Sequence, residues 1–272
     1  MKLFSIPNLL TLGNLSCGCL AIVFALEGNL VWTAYLVGIA AVLDFLDGFV
    51  ARALKQFSPI GKELDSLADM VTFGVVPGVV MFQLLQISFN LDVSQEYGFP
   101  AGKSGAHFFA FLITLFSALR LAKFNVDTRQ SESFVGVPTP ANAILICSLP
   151  LILGIEKISR FMSDWHCACP ETTEPYLRFL MNDTVLWSIT LVMCYLLIAE
   201  IPLFALKFKS FAWKGNEIRY SFLGMSLIMV VLLQYIALPL IIVLYVILSI
   251  VNNIARRSSS SKNKPAHTPQ PD

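Results

Sequence analysis

Residues 31–54 read VWTAYLVGIAAVLDFLDGFVARAL, and the order of apolar and charged letters in that stretch decides the fold class. A helix of this length reaches about 36 Å at 1.5 Å per residue, enough to cross a hydrocarbon core of ~30 Å. Nothing charged interrupts positions 31–43, yet Asp44 and Asp47 follow before Arg52 closes the stretch. A segment inside lipid must pair every backbone N–H and C=O within itself, so it is predicted to be a helix. Similar apolar runs occupy 6–27, 67–90, 105–125, 138–158 and 185–206, and a longer one at 220–251 contains Leu238-Pro239. The expected architecture is an all-α, polytopic membrane helix bundle.

Composition supports this class and excludes others. Apolar residues make up 56% of the 272-residue chain and charged ones 14%, against about 25% charged in soluble domains; mean hydropathy is +0.70. Lys and Arg number 19 against 18 Asp and Glu, so no net field favours nucleic acid as a partner. Six cysteines are too few for a disulfide scaffold of this length. Cys17, Cys19, Cys147 and Cys194 fall in apolar runs and read as packed thiols, and His166, Cys167 and Cys169 lack the spacing of a metal site. Lys2 precedes an apolar stretch without a small-residue cleavage site, so that stretch is expected to remain as the first span.

The basic residues orient the helices. If both termini are cytoplasmic and 220–251 folds as a hairpin, only Lys103, Lys157, Arg160 and Arg178 face the far side and the other 15 of 19 face the cytoplasm. A single last span would move the four tail charges across and weaken that bias. About eight transmembrane helices are therefore expected, in one membrane-embedded domain over 1–255. Residues 256–272, with Ser258–Ser261 and three prolines, read as a disordered basic cytoplasmic tail that meets anionic headgroups.

Acids are rare inside membranes, and here they concentrate. After Ser58-Pro59-Ile60-Gly61, a helix breaker, the next helix opens Lys62-Glu63-Leu64-Asp65-Ser66-Leu67-Ala68-Asp69. At about 100° per residue Asp44, Asp47, Gly48, Ala51 and Lys55 share one face, and Asp65 and Asp69 share another. A short turn sets the faces opposite one another near the cytoplasmic boundary. Each acid at depth costs about 2.5–3.5 kcal/mol on insertion scales, so four require cations. Ion pairs with Arg52, Lys55 and Lys62, or capping of the next helix, are one solution. An all-oxygen site for Mg²⁺, Mn²⁺ or Ca²⁺, two ions beside an Arg suiting a pyrophosphate, is the other, and the full constellation favours it. Gly48 and Ala51 leave space beside such ions.

The pattern Asp44-x-x-Asp47-Gly48-x-x-Ala51-Arg52, eight residues, Gly61-x-x-x-Asp65-x-x-x-Asp69 resembles the signature of the CDP-alcohol phosphatidyltransferase family at every fixed position. The resemblance implies a multi-pass membrane enzyme, most simply of a bacterial inner membrane with a cytoplasmic active site, and a homodimer. It moves a phosphatidyl group from CDP-diacylglycerol to an alcohol and releases CMP. It further implies Asp44, Asp47, Asp65 and Asp69 as metal ligands and Asp69 as general base. Asn8, Thr11, Gly48, Ala51, Arg52, Ser58 and Gly61 are placed against CDP-diacylglycerol.

The stretches 118–125 (ALRLAKFN) and 134–141 (FVGVPTPA) resemble the serine-accepting branch of that family, which implies L-serine as acceptor. Arg120, Lys123 and Asn125 either hold the serine carboxylate or a lipid phosphate, or act as headgroup anchors; Arg120, a turn deeper and bidentate, suits a carboxylate best. A sister enzyme using glycerol 3-phosphate or an inositol acceptor would want more basic residues near the acids. A cation transporter would place acids at the midplane of broken helices, often in a duplicated half, and no internal repeat is present.

Overall fold

The computed structural model describes residues 4–56, 58–92, 105–127, 134–153, 179–204, 213 and 216–262. The expectations for Lys2, Lys103, Arg129, Lys157, Arg160, His166, Cys167, Cys169, Arg178, Lys207, Lys209, Lys214 and Lys264 lie outside the described residues.

The protein is an all-α bundle. In chain order its helices are α1 (Ile6–Leu26), α2 (Leu30–Ala53), α3 (Pro59–Asp69), α4 (Val76–Asp92), α5 (Leu112–Val126), α6 (Thr139–Ile152), α7 (Asp183–Ile198), α8 (Glu217–Leu233) and α9 (Ala237–Lys262). Helix occupies each segment that hydropathy selects, although the third rod starts at Pro59 rather than 67 and the sixth ends at Ile198 rather than 206. Beyond Ile198 the chain leaves the helix to pair Pro202-Leu203 with Phe134-Val135, a two-residue antiparallel clasp. Five stretches are long and apolar enough to cross a membrane when 217–254 counts as one, and α6 and α7 are shorter apolar helices.

A π-helical turn, Met70–Val75, joins α3 to α4. Its cause is local: Pro77 has no N–H for the turn before it and its ring crowds the carbonyl four residues back, which a widened turn relieves. Thr114 Oγ1 of α5 donates to Gly74 O at 3.0 Å and so takes up a carbonyl of the irregular turn, while Thr72 Oγ1 of the turn donates to Asn14 O of α1 at 3.2 Å. The α3–α4 rod is the axis of the bundle. About two-thirds of its membrane window is buried (67%), against 11–28% for the other long helices. Phe73, Met81, Leu84 and Leu85 on it pack with Ile113 of α5 and Ile146 of α6. The outer helices turn apolar faces outward, such as Ile39, Val42, Phe45 and Phe49 on α2, as a lipid-facing surface requires.

Helix α1 docks by a stripe of small or polar residues, Asn8, Thr11, Asn14, Gly18, Ala21 and Ala25. A Cβ on Gly18 would strike Thr72 of the π-turn, so the contact is available to glycine alone. At the other end of the chain the helix breaks at Gln234, where φ is +48°. Phe222 and Tyr245, on opposite sides of the break, have ring centroids 5.6 Å apart; in one straight helix they would be roughly 35 Å apart. Helices α8 and α9 therefore form a hairpin. Leu238-Pro239 follows the break, within the first turn of α9, where a proline costs no hydrogen bond.

The last helix continues through Lys262, so the basic segment expected to be disordered from Arg256 starts as helix. The reason is cooperative: extending an existing helix needs no new nucleus, so a serine run of mediocre propensity is carried along.

Candidate active site

The site forms at the end of the bundle where α2 stops and α3 starts. Ser58 sits in extended backbone, as a residue before proline must, and its Oγ accepts from Gly61 N at 3.0 Å while Pro59 takes the first helical position. Lys55, with φ +52°, makes the reversal. This tight turn sets the acid-bearing faces of α2 and α3 against each other.

Carboxylate oxygens of Asp44, Asp47 and Asp65 all lie within 4.8 Å of one another. Asp69, one turn beyond Asp65 on α3, is the fourth acid and interacts electrostatically with both Asp44 and Asp65. Helix α1 closes the third side: Thr11 Oγ1 donates to Asp47 Oδ2 at 2.6 Å, and Asn14 Nδ2 to Asp69 Oδ1 at 3.4 Å. Asp65 Oδ1 is buried and receives no hydrogen bond among the described residues. Among the described residues none of Arg52, Lys55 and Lys62 forms an ion pair with the four acids: Arg52 and Lys55 are exposed, and Lys62 Nζ donates to Asn125 O at 3.5 Å. The ion-pair solution is thus not the one adopted. Two like charges at 4.8 Å repel by about 3 kcal/mol at an effective dielectric near 20. A cluster of hard oxygen donors with that repulsion unmet and one buried oxygen unpartnered is compatible with a divalent cation.

The residues expected at the nucleotide fall around this cluster. Asn8 is buried, and its Oδ1 and Ser58 Oγ each lie 3.1 Å from where Gly61 would carry a Cβ, so Asn8, Ser58 and Gly61 meet closely. At Gly48 a Cβ would find only the Arg52 guanidinium, at 3.6 Å, which leaves the acid-bearing face of α2 open. Ala51 is half-buried beside it.

The three residues expected at the acceptor part company. Arg120 is buried, stands in the field of Asp69 and has Nη1 3.4 Å from Thr139 Oγ1. Lys123 is exposed and paired with Glu200 at 3.1 Å. Asn125 Nδ2 donates to Ser66 Oγ at 2.9 Å, tying α5 to α3. Of the three only Arg120 is buried, within the field of Asp69.

Sequence reasoning missed Asn14, Ser66 and Thr139. Asn14 carried a signal, since Asn8, Thr11 and Asn14 recur every three residues in an otherwise apolar helix and so share a face. Thr139 and Ser66 carried none, because their partners come from other helices.

Comparison with known proteins agrees with the signature. A family model described as CDP-alcohol phosphatidyltransferase matches residues 4–170. A CDP-diacylglycerol–serine O-phosphatidyltransferase of Helicobacter pylori strain J99 is 37% identical over 146 residues, 53% of this chain and 56% of that protein. The protein of the same name from Bacillus subtilis strain 168 is 34% identical over 155 residues, 55% of this chain and 80% of that protein. An archaetidylserine synthase of Methanothermobacter thermautotrophicus is 32% identical over 149 residues, 54% and 58% of the two chains. The chain thus spans little more than half the length of two of these three relatives.

Proposed function

The chain belongs to the CDP-alcohol phosphatidyltransferase family, and from that premise we propose that it transfers the phosphatidyl group of CDP-diacylglycerol to L-serine, giving phosphatidylserine and CMP. The observation that carries the reading is the convergence of four carboxylates from α2 and α3 with no cationic side chain paired to them among the described residues. Serine as acceptor is supported by the names of the relatives and by a buried arginine beside the acids.

Asp44, Asp47, Asp65 and Asp69 are the residues to hold divalent ions, Mg²⁺ or Mn²⁺, two in number; such ions neutralise charge on a pyrophosphate and improve CMP as a leaving group. Asn8, Thr11, Gly48, Ala51, Arg52, Ser58 and Gly61 cradle CDP-diacylglycerol, with the Arg52 guanidinium free to meet phosphate oxygens. The serine hydroxyl oxygen attacks the phosphorus that carries diacylglycerol, the bond from that phosphorus to the CMP oxygen breaks, and the hydroxyl proton passes to Asp69. An alcohol of high pKa needs such an acceptor within hydrogen-bond reach. Asn14, donating to Asp69 Oδ1 at 3.4 Å, orients that carboxylate.

One domain spans 1–255 in this reading, in a bacterial inner membrane as a homodimer with the acids and both termini on the cytoplasmic side. The gathering of Arg52, Lys55, Lys62 and Lys123 at the acid-bearing end of the bundle supports that orientation. Purified protein incubated with CDP-diacylglycerol and serine, glycerol 3-phosphate or inositol in turn, with CMP release as readout, tests the reaction. Release with serine alone is expected, and release with another alcohol instead would reassign the acceptor.

Two substitutions probe the substrates separately. Gly48→Leu is expected to leave the protein inserted, since only the Arg52 side chain must give way, and to abolish binding of labelled CDP-diacylglycerol. Normal binding would make Gly48 a packing residue. Arg120→Lys keeps the charge but loses the bidentate fork, so the KM for serine should rise by roughly 10- to 100-fold while that for CDP-diacylglycerol moves little. Equal shifts in the two constants would return Arg120 to a structural role.

A further inference from the structure

One turn along α5 from Arg120 and one turn along α6 from Thr139 stand two buried polar side chains without a hydrogen-bond partner among the described residues. Arg120 is 7% exposed, its partners are Thr139 Oγ1 and the Phe124 ring at 5.2 Å, and no carboxylate among the described residues lies in ion-pair contact with it. A buried guanidinium without an anion at membrane depth is an open valence for one. Arg120 lies toward the C-terminal end of α5 and Thr139 is the first residue of α6, so their contact sets the two helices running in opposite directions. One turn back from Arg120 and one turn on from Thr139 are Ser117 and Asn142, at matching depth.

Both are fully buried, and among the described residues Ser117 Oγ, Asn142 Nδ2 and Asn142 Oδ1 have no hydrogen-bond partner. Other buried hydroxyls of the protein show the usual alternative. Ser148, Thr190 and Ser249, also buried on helices, each return a bond to a carbonyl of the preceding turn at 2.7, 2.9 and 2.8 Å. Asn142 has two donors and two acceptor positions in hydrocarbon-like surroundings and uses none of them. An amide so placed is retained at a cost that an apolar residue would avoid.

We propose that Ser117 and Asn142 complete, with Arg120 and Thr139, a subsite for a small zwitterion. The guanidinium and Asn142 Nδ2 donate to its carboxylate, and Ser117 Oγ and Asn142 Oδ1 accept from its ammonium group. The inference rests on the reading of serine as acceptor and extends it: Arg120 selects the carboxylate, and the Ser117–Asn142 pair selects the amino group. Both act as specificity residues.

The test is the initial rate of CMP release by full-length protein with L-serine and with 3-hydroxypropionate, which has the hydroxyl and carboxylate but no amino group. Asn142→Leu should raise the KM for serine about 10- to 100-fold, leave that for CDP-diacylglycerol unchanged and cut the preference for serine over 3-hydroxypropionate by about tenfold. Its Tm should equal or exceed that of the wild type, since an unpartnered amide is exchanged for an apolar group of similar size. Ser117→Ala, a change of one atom, should narrow the same preference by a smaller factor and serves if the first variant does not fold. Wild-type turnover of serine with an unchanged preference in both variants overturns the subsite alone. A wild type that releases CMP only with a different alcohol overturns the serine reading, and the subsite with it.

Discussion

Asp69→Asn protein is expected to bind CDP-diacylglycerol nearly as the wild type does and to release CMP at least ~10²-fold more slowly. The substitution keeps size and one oxygen able to coordinate, but an amide does not take the proton that the attacking hydroxyl must lose, and general-base loss costs about 10²- to 10⁴-fold. The surroundings favour this split. Asp69 sits at the junction of α3 with the π-turn, held by Asn14 and Asp44, so an amide of the same shape retains contacts on both sides. Asp44→Asn and Asp65→Asn are the contrast. Asp44 bridges the cluster and Asp65 has a buried oxygen with no protein donor, so each should lose ion and nucleotide binding together with turnover. Equilibrium binding of labelled CDP-diacylglycerol beside kcat separates the classes, and an Asp69→Asn variant that fails to bind would make Asp69 a ligand rather than the base.

Excess EDTA should abolish turnover completely, and added Mg²⁺ or Mn²⁺ should restore it. Pairwise repulsion of about 3 kcal/mol among oxygens within 4.8 Å is met by no ion-paired cationic side chain among the described residues. Arg52 and Lys55 are exposed and Lys62 is engaged with α5, so the protein keeps its acids available for an external cation. Thermal stability gives a second readout: a cation that binds the folded cluster raises Tm, by mass action, in wild type and much less in Asp44→Asn. Full turnover in excess chelator would remove the metal assignment and leave four acids in want of an explanation.

The acid spacing carried most of the site. An i, i+3 pair on one helix and an i, i+4 pair on the next, separated by a serine-proline-glycine breaker, leave one compact way to fold, and the cluster at 4.8 Å is its result. The acceptor side was less legible. Arg120, Lys123 and Asn125 lie within two turns of one helix and look alike as letters, yet Lys123 is drawn to Glu200 and Asn125 to Ser66, far away in sequence. Distant partners leave no local periodicity, so the stretch ranks Arg120 first by its depth and its guanidinium but gives no sign of where Lys123 and Asn125 go.

The sequence by itself determined that this chain is an apolar helical bundle with four acids at one end, because hydropathy over about 20 residues and a helical period are local properties that lipid enforces without regard to neighbours. It also determined the hairpin at the C-terminus through its charge balance, which the Phe222–Tyr245 contact agrees with. Tertiary structure alone decided that α3–α4 is the central rod, and that Asn14 meets Asp69 and Thr139 meets Arg120. The physical reason is common to both. In a membrane every helix is apolar, so hydropathy does not distinguish the helix that faces lipid from the one that faces protein, and packing of small residues such as Gly18 against Thr72 makes that choice.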